Sequence, residues 1–187
     1  MQEKSSIRKA YLKRRNMLTK EMIDYKSQQI CKYIIDSSWY QQANKIFTFV
    51  SMGTEVNTRS IIIDGLNKDK TIAVPKVYPK QKKMIFSRIQ DFDDLEIGHF
   101  GVLEPSTSSI WKEESDESTI FIVPGLIFDL QKYRIGYGGG YYDRYLSTIV
   151  RPIATIGIGY DFQVVPMLPK SPHDVALDWI VTEKRWI

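Results

Sequence analysis

The chain has little of the side-chain chemistry that most metal centres and covalent catalysts use. It contains one cysteine, Cys31, and two histidines, His99 and His173, among 187 residues. A single thiol cannot form an internal disulfide bond, which excludes a disulfide-stabilised scaffold. One cysteine and two distant histidines make neither a zinc site nor a cysteine–histidine nucleophile pair. Cys31 lies in an amphipathic stretch, so we expect it to be a small buried hydrophobic residue.

Long apolar segments are also absent from the sequence. No run approaches the roughly 20 residues that a membrane-spanning helix needs, and no apolar stretch of the kind found in signal peptides follows the basic residues 1–15. We therefore expect a cytoplasmic protein with no membrane association. The formal net charge is +4 and the pI is about 9.0. An excess this small does not choose among nucleic acids, phosphates and polycarboxylates as partners.

Short apolar segments alternate with amphipathic ones along the chain, which predicts an α/β fold. Helices are predicted at residues 3–18, 19–36 (capped by Thr19), 58–66 and 141–150. Strands are predicted at residues 45–50, 71–77, 84–89, 119–123, 152–159 and 177–182. Residues 91–118 and 124–140 are predicted to be mostly loop. The expected fold is a three-layer sandwich with a largely parallel central sheet flanked by helices, in a single domain over residues 1–187.

Residues 123–146, VPGLIFDLQKYRIGYGGGYYDRYL, carry the strongest functional pattern. An apolar strand leads to a glycine-rich loop, and a helix is predicted to begin at Tyr141. Glycines before a helix let main-chain N–H groups approach a phosphate without a Cβ clash. Arg134 can offer a planar fork of donors to phosphate oxygens, and Asp143 can cap the helix or hold Mg²⁺. The pattern is neither a P-loop nor a dinucleotide fingerprint, so a tight turn over a tyrosine core is the alternative.

The same segment resembles the signature of the 5-formyltetrahydrofolate cyclo-ligases, also called 5,10-methenyltetrahydrofolate synthetases. The matching residues form a P-G-hydrophobic-x-F-D start and an R-[LI]-G-x-G-x-G-Y-Y-D run: Pro124, Gly125, Phe128, Asp129, Arg134, Ile135, Gly136, Gly138, Gly140, Tyr141, Tyr142 and Asp143. Lys4 and Arg8 resemble the N-terminal K-x-x-x-R element, and residues 50–55 (VSMGTE) resemble the segment after the first strand. Residues 174–183 (DVALDWIVTE) resemble the C-terminal element, so the resemblance covers essentially the whole chain.

The resemblance implies closure of 5-formyltetrahydrofolate to 5,10-methenyltetrahydrofolate, with ATP as co-substrate, Mg²⁺ as cofactor, and release of ADP and phosphate. An N-formyl amide is a poor electrophile, and its oxygen is a poor leaving group. Phosphoryl transfer to the formyl oxygen removes both obstacles, because N10 can then attack the formyl carbon and phosphate can depart. Such a reaction needs positioning and charge neutralisation rather than a protein nucleophile.

The resemblance also implies a set of site residues. Arg134 is expected to be catalytic, by stabilising the transferred phosphoryl group. ATP is expected to contact Lys4, Ser5, Ser6, Ile7, Arg8, Arg134, Ile135, Gly136, Tyr137, Gly138, Gly139, Gly140, Tyr141 and Tyr142. The folate is expected to contact Val50, Met52, Glu55, Tyr137, Gly138, Gly139, Gly140 and Tyr141. Asp143 and Asp178 are expected to hold Mg²⁺.

Two positions depart from the family's pattern. Lys132 stands where the family usually has glycine, two residues before the motif arginine, and Gly139 stands where some members have lysine. The main alternative is another ATP-using enzyme on a similar scaffold, such as a small-molecule kinase. The basic pI also suggests a nucleic-acid-binding module, which would leave the glycine-rich loop unexplained. We expect 5-formyltetrahydrofolate and ATP as partners, no nucleic acid, and a monomer or weak homodimer.

Overall fold

The computed structural model describes residues 2–149 and 152–187. Within these residues the α-helices are α1 (Gln2–Arg15), α2 (Lys20–Ile35), α3 (Ser38–Gln42), α4 (Arg59–Asn67) and α5 (Tyr141–Leu146). The strands are β1 (Lys45–Phe47), β2 (Thr71–Tyr78), β3 (Lys83–Ile89), β4 (Leu95–Ile97), β5 (Leu103–Pro105), β6 (Lys112–Glu113), β7 (Thr119–Pro124), β8 (Ile127–Asp129), β9 (Arg134–Ile135), β10 (Ala154–Ile158), β11 (Val164–Val165) and β12 (Trp179–Val181). Short 3₁₀ helices lie at Pro79–Gln81, Phe92–Asp94, His99–Gly101, Thr107–Ser109 and Asp161–Gln163.

The central sheet contains seven of the described strands, in the order β12–β10–β7–β1–β2–β3–β6. The first five in that order run parallel to their neighbours, whereas β3 and β6 add on as antiparallel strands. Parallel strands are covered on both faces and are therefore apolar along their length. In β7, for example, residues 119–123 are all buried. The predicted α/β fold with a largely parallel central sheet is confirmed.

Helices cover both faces of the sheet, as predicted. On one face α2 and α4 bury Ile34 and Ile61 in a cluster with the central strands. On the other face α5 places Leu146 beside Phe86 and Phe121. A separate small sheet, in the order β11–β8–β9, packs against α1. This contact brings the basic helix α1 next to the segment that follows β9. In the described part of the chain, no helix is long and apolar enough to cross a membrane.

The structure corrects the two predicted loops. Residues 124–140 contain β8 and β9. Phe128 and Asp129 in β8 are fully buried, and β8 pairs with both β9 and β11. Residues 91–118 carry the β4–β5 hairpin and β6. Strands of two or three residues give too short an alternation to be recognised from the sequence, and their existence depends on pairing with distant segments.

The predicted helix at residues 141–150 is shorter than expected. It ends at Leu146, where the hydroxyls of Ser147 and Thr148 bond to carbonyl oxygens one turn back. Such side-chain bonds compete with helical hydrogen bonds and favour helix ends. Residue 150 lies outside the described residues. At the start of α2, by contrast, the predicted cap is confirmed, because Thr19 Oγ1 accepts a hydrogen bond from the Met22 amide at 3.3 Å.

Phe128 and Asp129, the F-D pair of the motif, hold together the segment before Arg134. The Phe128 ring fills space that glycines leave open, because a Cβ added at Gly125 would lie 2.5 Å from Phe128 Cζ. Asp129 is fully buried, and its Oδ1 accepts hydrogen bonds from the amides of Gln131 and Tyr133, each at 2.9 Å. Its Oδ2 accepts one from another amide, that of Leu168, at 3.0 Å. The carboxylate therefore fixes the turn that delivers Arg134 to the site.

Candidate functional site

The glycine-rich loop lies between β9 and α5 with its surface open. Residues 137–139 are exposed, and Gly138 and Gly140 have φ angles of 107° and 64°, which favour glycine. In the described part of the chain, no protein acceptor takes a hydrogen bond from the main-chain amides of residues 137–140. Gly140 also has no side-chain cap for α5. The loop thus presents several free N–H donors, as an anion-binding loop requires.

The basic face of α1 lies against this loop. Arg8 Nε donates a hydrogen bond to the Gly136 carbonyl oxygen at 2.9 Å. A Cβ added at Gly138 would lie 3.6 Å from Arg8 Cζ, so the guanidinium covers the loop closely. Lys4, one turn earlier, forms an ion pair with Asp174 and donates to Ser171 Oγ at 3.1 Å. Lys4 and Arg8 lie on one face of the first helix, as predicted. Both cations therefore point to the same side of α1.

Arg134 is a buried cation at the base of the loop. Its residue exposure is 6%, and Nη1 lies 3.2 Å from Asp143 Oδ1 and 3.3 Å from the Val175 carbonyl oxygen. Burial lowers the pKa of Arg134, and the neighbouring Asp143 partly offsets that effect. An arginine keeps its charge under these conditions, because its ordinary pKa is above about 12. The site therefore has a desolvated positive charge that one carboxylate partly neutralises.

The Tyr142 hydroxyl is buried and makes no hydrogen bond within the described residues. The Tyr142 ring centroid lies 5.9 Å from Arg134 Cζ and 6.3 Å from the Phe86 ring centroid. Burial raises the pKa of Tyr142, and the charge of Glu55 raises it further. Buried polar groups are nearly always paired, so this orphaned hydroxyl is an exception at the site.

Glu55 lies on the other side of the loop, in the segment after β1. Its Oε2 accepts a hydrogen bond from the Met52 amide at 3.0 Å, and its Oε1 accepts one from the Tyr137 hydroxyl at 2.6 Å. Val50, which precedes this turn, is buried. Burial raises the pKa of Tyr137, and the adjacent Glu55 carboxylate adds to the effect. The structure thus brings together the predicted folate-side residues and the glycine-rich loop.

Arg15 also belongs to this group, although the sequence reasoning missed it. Its Nη2 donates to the Tyr137 hydroxyl at 2.6 Å, and its Nη1 lies 3.9 Å from Glu55 Oε1. A cavity of about 10 Å³ beside Arg15 and Glu55 reaches Gly125 and Ile158, at the carboxyl ends of β7 and β10. Ligands of open α/β sheets bind at this edge. In the sequence Arg15 is one of several basic residues in a row, so nothing distinguished it.

The two predicted magnesium ligands have different surroundings. Asp143 Oδ1 is shared between Arg134 and the Val175 amide, at 3.2 Å from each. Asp178 lies before β12, and its Oδ2 accepts hydrogen bonds from both the amide and the hydroxyl of Thr155, each at 2.8 Å. Among the described residues, no three His, Cys, Asp or Glu side chains are grouped to hold a metal ion. The metal role of Asp178 stays a prediction, and its contacts instead join β12 to β10.

The remaining predicted nucleotide contacts divide into exposed and packed residues. Ser5 and Ser6 are exposed on α1. Ile7 and Ile135 pack with Leu126 in the cluster under the small sheet; Ile135 is buried and Ile7 is partly buried. Gly139 and Tyr141 are in close contact, and a Cβ at position 139 would lie 2.5 Å from Tyr141 Cε2.

Lys132 adopts the backbone conformation that glycine would adopt at its position. Its φ angle is 68°, and its amide donates to the Asp129 carbonyl oxygen at 2.8 Å. Its ammonium lies 4.8 Å from the Trp179 ring centroid. The turn before Arg134 is therefore made here with lysine in the left-handed region, and the Lys132 ammonium is engaged by an aromatic ring away from the loop.

Comparison with known proteins gives consistent matches over nearly the whole chain. The model of the 5-formyltetrahydrofolate cyclo-ligase family matches residues 1–183. A probable 5-formyltetrahydrofolate cyclo-ligase from Caenorhabditis elegans is 28% identical over 180 residues, which cover 91% of this chain and 87% of that protein.

Two solved structures resemble the fold closely. The NMR structure of Aquifex aeolicus 5,10-methenyltetrahydrofolate synthetase has a TM-score of 0.84 and 30% identity, and the match covers 98% of this chain and 91% of that chain. The 5,10-methenyltetrahydrofolate synthetase of Mycoplasma pneumoniae has a TM-score of 0.77 and 26% identity, and the match covers 97% of this chain and 99% of that chain.

An open, largely parallel α/β sheet with charged side chains gathered around a glycine-rich loop is typical of enzymes that act on small molecules. The family match includes all the motif residues described above. The chain belongs to the 5-formyltetrahydrofolate cyclo-ligase family. The resemblance and the enzyme class predicted from the sequence are thereby confirmed, while the roles of individual residues stay predictions.

Proposed function

We propose that this chain closes 5-formyltetrahydrofolate to 5,10-methenyltetrahydrofolate in a reaction that consumes ATP and requires Mg²⁺. The observation that carries the proposal is the open loop at residues 137–140, which has free amides, Arg8 against it and Arg134 buried beneath it. The names of the relatives support the same reaction. The position of Glu55 across the loop supports a second binding region for the folate.

The nucleotide side of the proposed site is rich in hydrogen-bond donors. The loop amides, Arg8 and Arg134 are suited to the oxygens of a triphosphate, because free N–H groups and guanidinium forks both favour phosphate. Phosphate oxygens would also give the Tyr142 hydroxyl the partner that it lacks within the described residues. Lys4 adds a cation at the edge of this region, where it is now paired with Asp174.

The folate side of the proposed site consists of an acceptor and apolar surface. The Glu55 carboxylate can accept hydrogen bonds from the N–H donors of a pterin ring, because a carboxylate has more acceptor positions than Met52 and Tyr137 use. Val50, five residues earlier in the same segment, is buried in the core and supports this side of the site from beneath. The Tyr137 ring is half exposed and offers a flat surface to the same ligand.

The chemical step follows from the presence of a nucleotide side and a folate side in one site. The formyl oxygen attacks the γ-phosphorus of ATP, the bond from phosphorus to the β-phosphate oxygen breaks, and ADP leaves. N10 then attacks the activated formyl carbon, the carbon–oxygen bond breaks to release phosphate, and N10 loses its proton. Arg134 and the loop amides stabilise the charge on the transferred phosphoryl group. The loop also holds the two substrates in line, which supplies the positioning that such a transfer needs.

Mg²⁺ would supply further neutralisation of phosphate charge. Magnesium bound with a nucleotide usually has one or two protein carboxylates, and phosphate and water complete its coordination. Asp143 fits this role, because its Oδ1 is used by Arg134 and Val175, whereas its Oδ2 has no protein partner in the described part of the chain. We therefore propose Asp143 as the principal protein ligand, and Asp178 as a ligand only if it is released from Thr155.

The proposal is tested by following the ultraviolet absorbance of the methenyl product from 5-formyltetrahydrofolate, with ADP measured in parallel. The expected result is equal formation of product and ADP, which stops when ATP, Mg²⁺ or the folate is omitted. Formation of ADP without methenyl product from a range of other acceptors would support the small-molecule kinase instead. Absence of product under all these conditions would refute the proposed reaction.

A further inference from the structure

Arg15 joins three separate parts of the site. It is the last residue of α1 and is only 4% exposed. Its Nε donates to Thr54 Oγ1 at 3.1 Å, and its Nη2 donates to the Tyr137 hydroxyl at 2.6 Å. The third nitrogen, Nη1, lies 3.9 Å from Glu55 Oε1. One guanidinium at the end of α1 therefore contacts both the segment after β1 and the glycine-rich loop.

The direction of the hydrogen bonds in this group is fixed by its chemistry. Arginine only donates, so the Tyr137 oxygen accepts from Arg15 and its single proton must go elsewhere. That proton points to Glu55 Oε1, 2.6 Å away. The other oxygen of Glu55 accepts from the Met52 amide. Both carboxylate oxygens thus face donors, an arrangement that holds the Glu55 side chain in one orientation.

A buried guanidinium is costly unless its donors are used, and here each of the three nitrogens of Arg15 faces a polar partner. The neighbouring residue Arg14 provides a contrast within the same helical turn. Arg14 is exposed, and its Cζ lies 4.6 Å from the Phe162 ring centroid. Arg14 and Arg15 therefore have the same charge but different surroundings.

We propose that Arg15 is a positioning residue that acts through Tyr137 to present Glu55 to the folate. This inference rests on the proposed function. The Tyr137 hydroxyl is the relay: it receives one bond from Arg15 and gives one to Glu55, while its main chain belongs to the loop. Without Arg15, the Tyr137 hydroxyl is free to rotate and its proton can leave Glu55. Glu55 then loses both its fixed orientation and a nearby positive charge.

The test compares Arg15→Gln with the matched control Arg14→Gln by steady-state kinetics with the folate varied at saturating ATP. Arg15→Gln is expected to raise KM for the folate about tenfold and to change kcat by less than about threefold, because binding on the folate side is lost while phosphoryl transfer is kept. Arg14→Gln is expected to match the unaltered protein. Circular dichroism and thermal unfolding establish that each variant is folded.

A second variant keeps the inference testable if Arg15→Gln fails to fold. Tyr137→Phe removes the relay hydroxyl and keeps the ring, so it is expected to raise the folate KM to a similar extent. The double variant is expected to be no worse than the poorer single variant, because both changes break one chain of hydrogen bonds. A normal folate KM in folded Tyr137→Phe would overturn the inference, as would multiplicative effects in the double variant.

Failure of this inference can be told apart from failure of the proposed function. If the unaltered protein forms no methenyl product, the proposed reaction is wrong, and the inference fails with it. If the unaltered protein is active and Arg15→Gln behaves like Arg14→Gln, only the positioning role is refuted.

Discussion

Arg134 is the single residue on which the proposed phosphoryl transfer depends most. We expect Arg134→Lys to lower kcat about 100-fold, because lysine keeps one charge but loses the planar fork of donors. Steady-state turnover of 5-formyltetrahydrofolate measures the effect. Arg59→Lys on α4, where the guanidinium stacks 4.0 Å from the Phe92 ring centroid, is the control and should keep full activity. Turnover of Arg134→Lys within about threefold of the unaltered protein would refute the role.

Cys31 illustrates a residue whose chemistry is suppressed by its environment. Burial raises the pKa of its thiol to about 12. The thiol therefore stays protonated in the folded protein between about pH 8.5, where an unfolded cysteine ionises, and about pH 12. We expect no reaction with Ellman's reagent at about pH 8 in the native protein, and one thiol per chain to react in denaturant.

The same shift in pKa predicts the direction of a stability change. Because the folded protein keeps the proton that the unfolded chain loses, Cys31 contributes stability that is complete below the unfolded pKa and declines as the pH rises towards about 12. Rapid native-state modification of Cys31 would contradict the buried placement.

Individual site residues were predictable from the sequence to different extents. Arg134 and the glycines at positions 136, 138, 139 and 140 stand in a recognisable spacing, and the structure places them together. Glu55 was reached only through the family resemblance, because nothing in its local sequence marks a carboxylate that Tyr137 will contact from 82 positions away. Arg15 could not be found at all, since its role depends on burial that a run of basic residues does not reveal.

At the level of elements, the turn before Arg134 gives a test of backbone strain. Lys132 has a φ of 68°, which disfavours any residue with a Cβ. We expect Lys132→Gly to be more stable than Lys132→Ala by about 1 kcal/mol, or about 2–4 °C in melting temperature. Both variants lose the contact of the ammonium with Trp179, so their difference isolates the strain. A more stable alanine variant would show that the turn relaxes.

The longer elements were predictable because each contains enough residues for its apolar pattern to be recognised. The strands at 71–78 and 119–124 and the helix at 20–35 were predicted to within about two residues. The short strands β8 and β9 were missed because each consists of only two or three residues. Their pairing depends on the buried Phe128 and Asp129 and on β11, which lies far along the chain. Local sequence does not record such pairing.

For the whole molecule, the alternation of apolar strands and helices was sufficient to predict the α/β class and the largely parallel sheet. It could not give the strand order β12–β10–β7–β1–β2–β3–β6, because that order depends on which faces pack together. The single domain over residues 1–187, the cytoplasmic location, the absence of nucleic-acid binding and the monomeric or weakly dimeric state stay predictions.

The central claim is that the glycine-rich loop receives the phosphates of ATP. Its most direct test is a ¹H–¹⁵N spectrum of protein labelled at glycine, recorded during titration with ATP–Mg²⁺. We predict saturable shifts of the amide signals of Gly136, Gly138, Gly139 and Gly140. The signal of Gly101, which also has a positive φ angle, 73°, in a turn away from the loop, should stay in place. Unmoved loop signals at saturating nucleotide would contradict the account.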